Sequence, residues 1–206
     1  MQKLFKQVLE LFSARYPLFL ILLVMVSYGQ VLFMQPWQED NVIFFKVAHI
    51  YEQAGYLGKG ILGQGVYRHT ITPYYLIYQL FGYQTVFYYA VMLVAYLLAT
   101  LSIYTLVKKL INKSAAMLSS FLFGCGYIAS EGFFRVYTST NISTGIASLS
   151  ILFLTFWRYY QTKKLVWYLL TVILYWLTIE LSYVRMHYLI VPVLLFNFIF
   201  FCLPFY

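Results

Sequence analysis

The feature that most constrains the fold of this chain is a series of long stretches that contain no Asp, Glu, Lys or Arg. Five of these stretches have about the length of one membrane crossing: Tyr16–Gln38, Ser114–Ser130, Val136–Trp157, Leu165–Ile179 and Met186–Tyr206. A further stretch, from His69 to Val107, exceeds one crossing of about 20 residues, and Pro73 and Gly82 interrupt it. Such stretches indicate helices that are surrounded by lipid.

The composition agrees with an all-α integral membrane protein. Charged residues make up 10% of the 206 residues, whereas a soluble domain carries about 25% and uses them to cover its surface. The 22 Tyr and 19 Phe residues suit belts of aromatic rings at the two membrane interfaces. We predict a single transmembrane module, residues 1–206, with about six transmembrane helices at residues 17–35, 85–107, 115–134, 143–160, 165–182 and 187–204.

The positions of the basic residues predict how this module is oriented. Nine of the 14 Lys and Arg residues flank the same predicted face: Lys3, Lys6, Arg15, Lys108, Lys109, Lys113, Arg158, Lys163 and Lys164. Because Lys and Arg concentrate in cytoplasmic segments, we expect a multi-pass protein of a bacterial plasma membrane with a cytoplasmic N-terminus. Residues 1–15 are predicted to form an amphipathic helix on the cytoplasmic leaflet. The net charge of +8 therefore reflects topology and does not indicate a nucleic-acid partner.

The connection between the first two predicted spans, residues 36–84, is long for a link between membrane helices. We expect it on the outer face, with short interfacial helices at residues 42–53 and 73–81, and connections of this length usually have a function. Glu39 and Asp40 follow the first span directly, where a carboxylate can act as a general base or bind a metal ion. The competing interpretation is that the pair caps a helix and solvates the interface.

Basic side chains form a second group on the predicted outer face, near the ends of the spans: Lys59, Arg68, His69, Arg135, Arg185 and His187. Together these residues can surround one anionic group, although each also suits a contact with a lipid headgroup. Glu131 precedes Arg135 by one helical turn and offers it an alternative partner. The glycines around Lys59 match G-x-G-x-x-G, but no strand and helix flank them, so we interpret the segment as a flexible outer loop.

Four short segments resemble the C-type glycosyltransferases. They are Gln38-Glu39-Asp40-Asn41, Tyr67-Arg68-His69, Glu131-Gly132-Phe133-Phe134-Arg135 and Tyr183-Val184-Arg185-Met186-His187. Members of that superfamily are polytopic enzymes that use polyprenyl-phosphate-linked sugars, and they include protein O-mannosyltransferases and the aminoarabinose transferases of lipid A. The shared layout is a cytoplasmic N-terminus, one span, an acidic residue directly after it and a long outer loop. Family members usually have more spans, so the resemblance suggests an N-terminal fragment.

The resemblance implies a function for these residues. Asp40 is implied as the base that accepts a proton from the acceptor hydroxyl, with Glu39 as the second candidate. The residues implied to bind the donor phosphate or the substrate are Arg68, Arg135, Arg185, His69, Lys59 and His187. The implied partners are membrane lipid, a polyprenyl-phosphate sugar donor and an acceptor lipid, glycan or protein. No cofactor is certain, and a requirement for a divalent metal stays open.

The sequence also leaves a different function class open. A non-catalytic transporter or flippase component for lipid-linked saccharides would share the anion site and would not need Asp40 as a base. A scaffold subunit of an envelope complex would need neither. A transport path is expected to place ionisable residues near the membrane midplane. The predicted spans have none there, which favours chemistry at the interface.

Overall fold

The computed structural model describes residues 15–34, 76–126 and 136–182, and every regular element within these ranges is helical. Helix α1 is Tyr16–Tyr28 and continues as a 3-10 helix, Gly29–Phe33. Residues 76–81 are helical. The four long elements that follow are α2 (Thr85–Leu110), α3 (Lys113–Cys125), α4 (Val136–Thr162) and α5 (Leu165–Ser182). The prediction of an all-α fold is confirmed for the described residues.

Three of the described helical segments are long and apolar enough to cross a membrane: Tyr16–Phe33, Thr85–Leu110 and Ser139–Thr162. At 1.5 Å per residue, α2 is about 39 Å long and exceeds the hydrocarbon core of about 30 Å. Helix α3 has 13 residues, and the apolar part of α5 is Leu165–Trp176, so neither reaches that length by itself. The six predicted crossings are therefore not confirmed. The predicted span 187–204, the helix at residues 1–15 and most of the loop 36–84 lie outside the described residues.

The distribution of polar side chains in α4 is the reverse of that in a water-soluble bundle. Ser139, Ser143 and Ser150 are buried, whereas Ile142 and Ile151 are exposed. Helix α1 exposes apolar side chains as well: Leu18, Leu22 and Val26. A soluble helix would turn polar residues outward, so lipid is the solvent that fits these surfaces.

Helix α2 is the central element of the described bundle, because it packs against α1, α3 and α4. Helix α4 also packs against α5. Helix α3 packs against α2 and α1. One buried cluster joins the start of α1, the end of α2 and the start of α3 through Tyr16, Leu20, Tyr104 and Ala116. Short turns connect α2 to α3 and α4 to α5, and each of these two pairs is antiparallel. Asn112 caps α3 by accepting a hydrogen bond of 2.8 Å from the Ala115 amide, and Lys163 ends α4 with a left-handed φ of 56°.

Buried tyrosines donate hydrogen bonds to backbone carbonyls of helix α3 and of the Gly126 that follows it. Tyr16 donates to Met117 at 2.6 Å and Tyr28 to Gly126 at 3.2 Å. Tyr96 of α2 donates to Phe123. Hydrogen bonds between helices stabilise membrane bundles, where the hydrophobic effect does not drive helix association. These three tyrosine rings therefore lie between helices, and the interfacial belts stay a prediction.

Candidate functional site

The basic residues of the described ranges gather at one end of the bundle. This set, which we call the basic end, consists of Arg15, Lys108, Lys109, Lys113, Arg158, Lys163 and Lys164. The cluster around Tyr16 and Tyr104 brings the start of α1 to the end of α2, and Lys108 and Arg158 line the same cleft. The prediction that the connections near residues 108–113 and 158–164 share one face is therefore confirmed. The described ranges contain one acidic residue, Glu180, near the opposite end of α5.

The residues predicted to form the site all lie outside the described ranges: Glu39, Asp40, Lys59, Arg68, His69, Arg135, Arg185 and His187. The structure does describe the helical frame from which three of their segments extend. We call this part of the bundle the loop end, because the connection 36–84 begins and ends there. It comprises the 3-10 helix after α1, residues 76–81, and the first turns of α2 and α4.

The two ends of the connection 36–84 meet at the loop end. The Thr85 hydroxyl, in the first turn of α2, donates a hydrogen bond of 3.4 Å to the carbonyl of Met34. Val31, three residues before Met34, is buried in the same cluster as Tyr88 and Tyr89 of α2. The described residues on either side of this connection, Met34 and Thr85, are therefore in contact.

A tight turn fixes residues 76–81 against the start of α2. Gly82 has a φ of +58°, which glycine adopts without steric cost, and its amide donates to the Tyr78 carbonyl at 2.7 Å. Tyr88, which is buried, donates to the Gly82 carbonyl at 2.8 Å. The rings of Phe81 and Phe87 stack with centroids 3.8 Å apart. The short helix predicted at residues 73–81 is confirmed in its described part.

One buried cluster connects all the described elements of the loop end. Its members are Val24, Tyr28, Val31, Ile77, Tyr88, Tyr89, Met92, Leu93, Tyr96 and Val136. Val136 is the first residue of α4 and follows Arg135 directly in the sequence, while Glu39 and Asp40 follow Met34 after a few residues. The segments that carry the predicted acidic pair and one predicted arginine thus start from the same packed frame.

The first turns of α4 contain a buried polar run that the sequence analysis missed. Ser139, Thr140, Asn141 and Ser143 are all buried, and the Thr140 hydroxyl donates to the Val136 carbonyl at 2.7 Å. The predicted fourth span, residues 143–160, begins only at the last residue of this run. A membrane helix tolerates such residues where they face the bundle interior, so α4 begins seven residues earlier, at Val136.

Asn141 differs from its hydroxyl-bearing neighbours, because its Nδ2 is buried and makes no hydrogen bond within the described structure. Ser and Thr satisfy their hydroxyls on the carbonyls of their own helix, as Thr144 does at 2.8 Å to Thr140. A buried amide without a partner costs about 1–3 kcal/mol. Asn141 therefore presents an available donor at the loop end. In the sequence, Asn141 is marked only by its place in a run of polar residues within the charge-free stretch Val136–Trp157.

Comparison of the chain with protein-family models, with curated proteins and with solved structures gives no match. Residues 15–34, 76–126 and 136–182 contain no group of three or more His, Cys, Asp or Glu side chains that could hold a metal ion. Any functional assignment therefore rests on the chemistry of the residues and on the geometry of the frame that carries them.

Proposed function

We propose that this chain is part of a membrane glycosyltransferase that transfers a sugar from a polyprenyl-phosphate-linked donor to an acceptor, with inversion at the anomeric carbon. The reaction takes place on the outer face, at the loop end of the bundle. The proposal includes a topology of about six spans in a bacterial plasma membrane. In this topology the basic end lies in the cytoplasm, because Lys and Arg concentrate on that side of a membrane.

The observation that carries the proposal is the closed base of the connection 36–84. Packing of Val31 against Tyr88 and Tyr89 joins the two ends of this connection, and Thr85 adds a hydrogen bond of 3.4 Å to Met34. Catalytic groups need rigid support to keep their geometry, and an acidic pair directly after such a support meets that requirement. The resemblance to C-type glycosyltransferases assigns the base to this same position.

The proposed reaction is a single displacement at the anomeric carbon. Asp40 accepts the proton of the acceptor hydroxyl as its oxygen attacks, and Glu39 is the second candidate for this role. The bond from the anomeric carbon to the phosphate oxygen breaks, and the polyprenyl phosphate leaves with the bonding electron pair. Preorganised cations stabilise the negative charge that develops on this phosphate. The groups assigned to this and to substrate binding are Arg68, Arg135, Arg185, Lys59, His69 and His187.

The test is the variant Asp40→Asn in the full-length protein. This change keeps the size and the capping ability of the side chain and removes its basicity. Because general-base catalysis typically contributes about 10²–10⁴-fold, transfer from a radiolabelled lipid-linked sugar should fall by about that factor, while expression and donor binding change little. The matched control is Glu39→Gln, which should cost less. Loss of turnover in Glu39→Gln alone would assign the base to Glu39.

A transporter or flippase component for lipid-linked saccharides is the second candidate function. It is favoured by one specific observation, that buried polar side chains continue along α4 from Ser139 to Ser150 and Thr155. An enzyme acting only at the membrane surface does not need such a run. Unchanged turnover in both Asp40→Asn and Glu39→Gln would reject the enzyme. Translocation of a fluorescent lipid-linked sugar across reconstituted vesicles would then be the measurement that supports transport.

A further inference from the structure

A cleft opens at the basic end between the last turns of α2 and α4 and the start of α5. Its volume is about 470 Å³, and three cationic side chains line it: Lys108, Lys109 and Arg158. A hydrogen bond of 3.2 Å between the buried hydroxyls of Thr155 and Thr171 joins α4 to α5 beside it. The cleft is therefore a gap between packed helices.

The three cations have no carboxylate partner within the described part of the chain. The Arg158 guanidinium lies 5.7 Å from the centroid of the Trp167 ring, and the Lys108 ammonium lies 5.6 Å from that of Tyr104. Contacts with an aromatic face orient a cation and leave its N–H groups available for an anion. Neighbouring charges of the same sign repel one another, so an anion bound in the cleft would stabilise this arrangement.

The walls of the cleft are apolar, which restricts the kind of anion that fits. Ile151, Leu154 and Trp167 line it together with the cations, and Ile151 is 45% exposed. A small inorganic anion would pair with the cations and leave these apolar surfaces uncovered. A phospholipid covers both, because its phosphate meets the cations and its glycerol and upper acyl carbons lie against the apolar wall. Basic pockets between membrane helices bind anionic headgroups in this way.

We propose that this cleft binds the phosphate of an anionic phospholipid from the leaflet at the basic end of the bundle. Lys108, Lys109 and Arg158 donate to the headgroup phosphate, and Trp167 positions the Arg158 guanidinium. The site lies at the end of the bundle opposite to the loop end. It is therefore independent of the proposed glycosyl transfer and of which face is cytoplasmic.

The test compares two triple variants of the full chain in nanodiscs of phosphatidylcholine. The first, Lys108→Gln/Lys109→Gln/Arg158→Gln, removes the cations of the cleft. The matched control, Lys113→Gln/Lys163→Gln/Lys164→Gln, removes the same charge from the same end of the bundle and leaves the cleft intact. Binding of phosphatidylglycerol, measured by native mass spectrometry, should weaken by at least about tenfold in the first variant and by less than about twofold in the control. Equal weakening in both variants would overturn the site, because diffuse attraction would then explain the binding.

A cleft-filling variant keeps the test decisive if the first triple variant does not fold. Ile151→Trp retains all three cations and occupies the cleft, and Ile151 is exposed enough to accept a larger side chain. Folded Ile151→Trp protein should lose phosphatidylglycerol binding, and normal binding would overturn the location. Competition by inorganic phosphate or glycerol 3-phosphate separates the two sources of a phosphate group. Displacement of the lipid at equal concentrations of these soluble anions would overturn the assignment to a lipid.

Discussion

Buried tyrosines illustrate how much a single hydroxyl contributes inside this bundle. Tyr16, Tyr28 and Tyr96 each insert a large ring between helices and donate to a carbonyl of α3 or of the Gly126 that follows it. The tyrosine content of the chain by itself predicts belts of aromatic rings at the level of the lipid headgroups. Helix α3 and the following Gly126 supply the acceptor carbonyls, so the sequence around each tyrosine does not predict these hydrogen bonds.

Replacement of Asn141 is expected to raise the stability of the protein and to lower its transfer activity. Replacing it with Leu removes a buried donor without a partner, so Asn141→Leu should raise the midpoint of thermal unfolding in detergent, in line with a gain of about 1–3 kcal/mol. If the amide donates to the substrate, the same variant should lose transfer activity. Fluorescence-detected unfolding and the radiolabelled transfer assay measure the two effects on one preparation.

The control for this prediction is Ser143→Ala, which removes a buried polar group from the same part of α4. Its stability should change less than that of Asn141→Leu, because a hydroxyl in a helix can bond to its own backbone. A lower unfolding temperature for Asn141→Leu would contradict the conclusion that the amide is unsatisfied. Unchanged transfer would show that the Asn141 amide does not donate to the substrate.

Helix α3 lies close to the helices α1 and α2 at Gly124. A Cβ atom added at Gly124 would lie 3.2 Å from Cγ2 of Thr100 and 3.4 Å from Cγ2 of Val24. Small residues let the backbones of membrane helices approach in this way. A larger residue at this position would therefore push against both α1 and α2.

The variant Gly124→Val tests this contact. Its Cβ atom already makes a close contact with Thr100, the two methyl groups add further volume, and overpacking of this kind typically costs about 1–3 kcal/mol. We expect a lower thermal unfolding temperature in detergent, measured by circular dichroism. Leu118→Val is the control, because Leu118 lies on the same helix and is 61% exposed. An unfolding temperature equal to that of the control would show that α3 does not rely on this approach.

For the whole molecule, the separation of the basic end from the loop end predicts the membrane orientation. Lys108→Cys and Lys163→Cys should react with an impermeant maleimide only after permeabilisation of cells, whereas Lys59→Cys should react in intact cells. The background should carry Cys125→Ser and Cys202→Ala, since the Cys125 thiol donates to the Phe121 carbonyl and serine can keep that bond. Labelling at position 108 in intact cells, without labelling at 59, would reverse the assigned orientation.

Local chemistry made several parts of this fold predictable. Hydropathy, together with the interruptions at Pro73 and Gly82, predicted that the second span starts at residue 85 and that the fifth helix covers residues 165–182, and both bounds agree with the structure. The positions of Lys and Arg predicted that the basic connections lie at one end of the bundle. The number of crossings does not follow in the same way. Six were predicted, whereas the described helices support three. An apolar stretch indicates burial in lipid or in protein. Whether the stretch spans the whole membrane depends on how the neighbouring parts of the chain are placed.

The sequence by itself determined that this is a helical protein for a lipid environment, where its charges concentrate and which acidic pair follows the first span. The tertiary structure decided which faces of the helices meet. Both faces of α1 are apolar, so no period in the sequence marks the side that carries Tyr16 and Tyr28. It also decided that Thr85 meets Met34, and that Lys108, Arg158 and Trp167 share one cleft. These groups are distant in the sequence, and only the packing of helices brings them together.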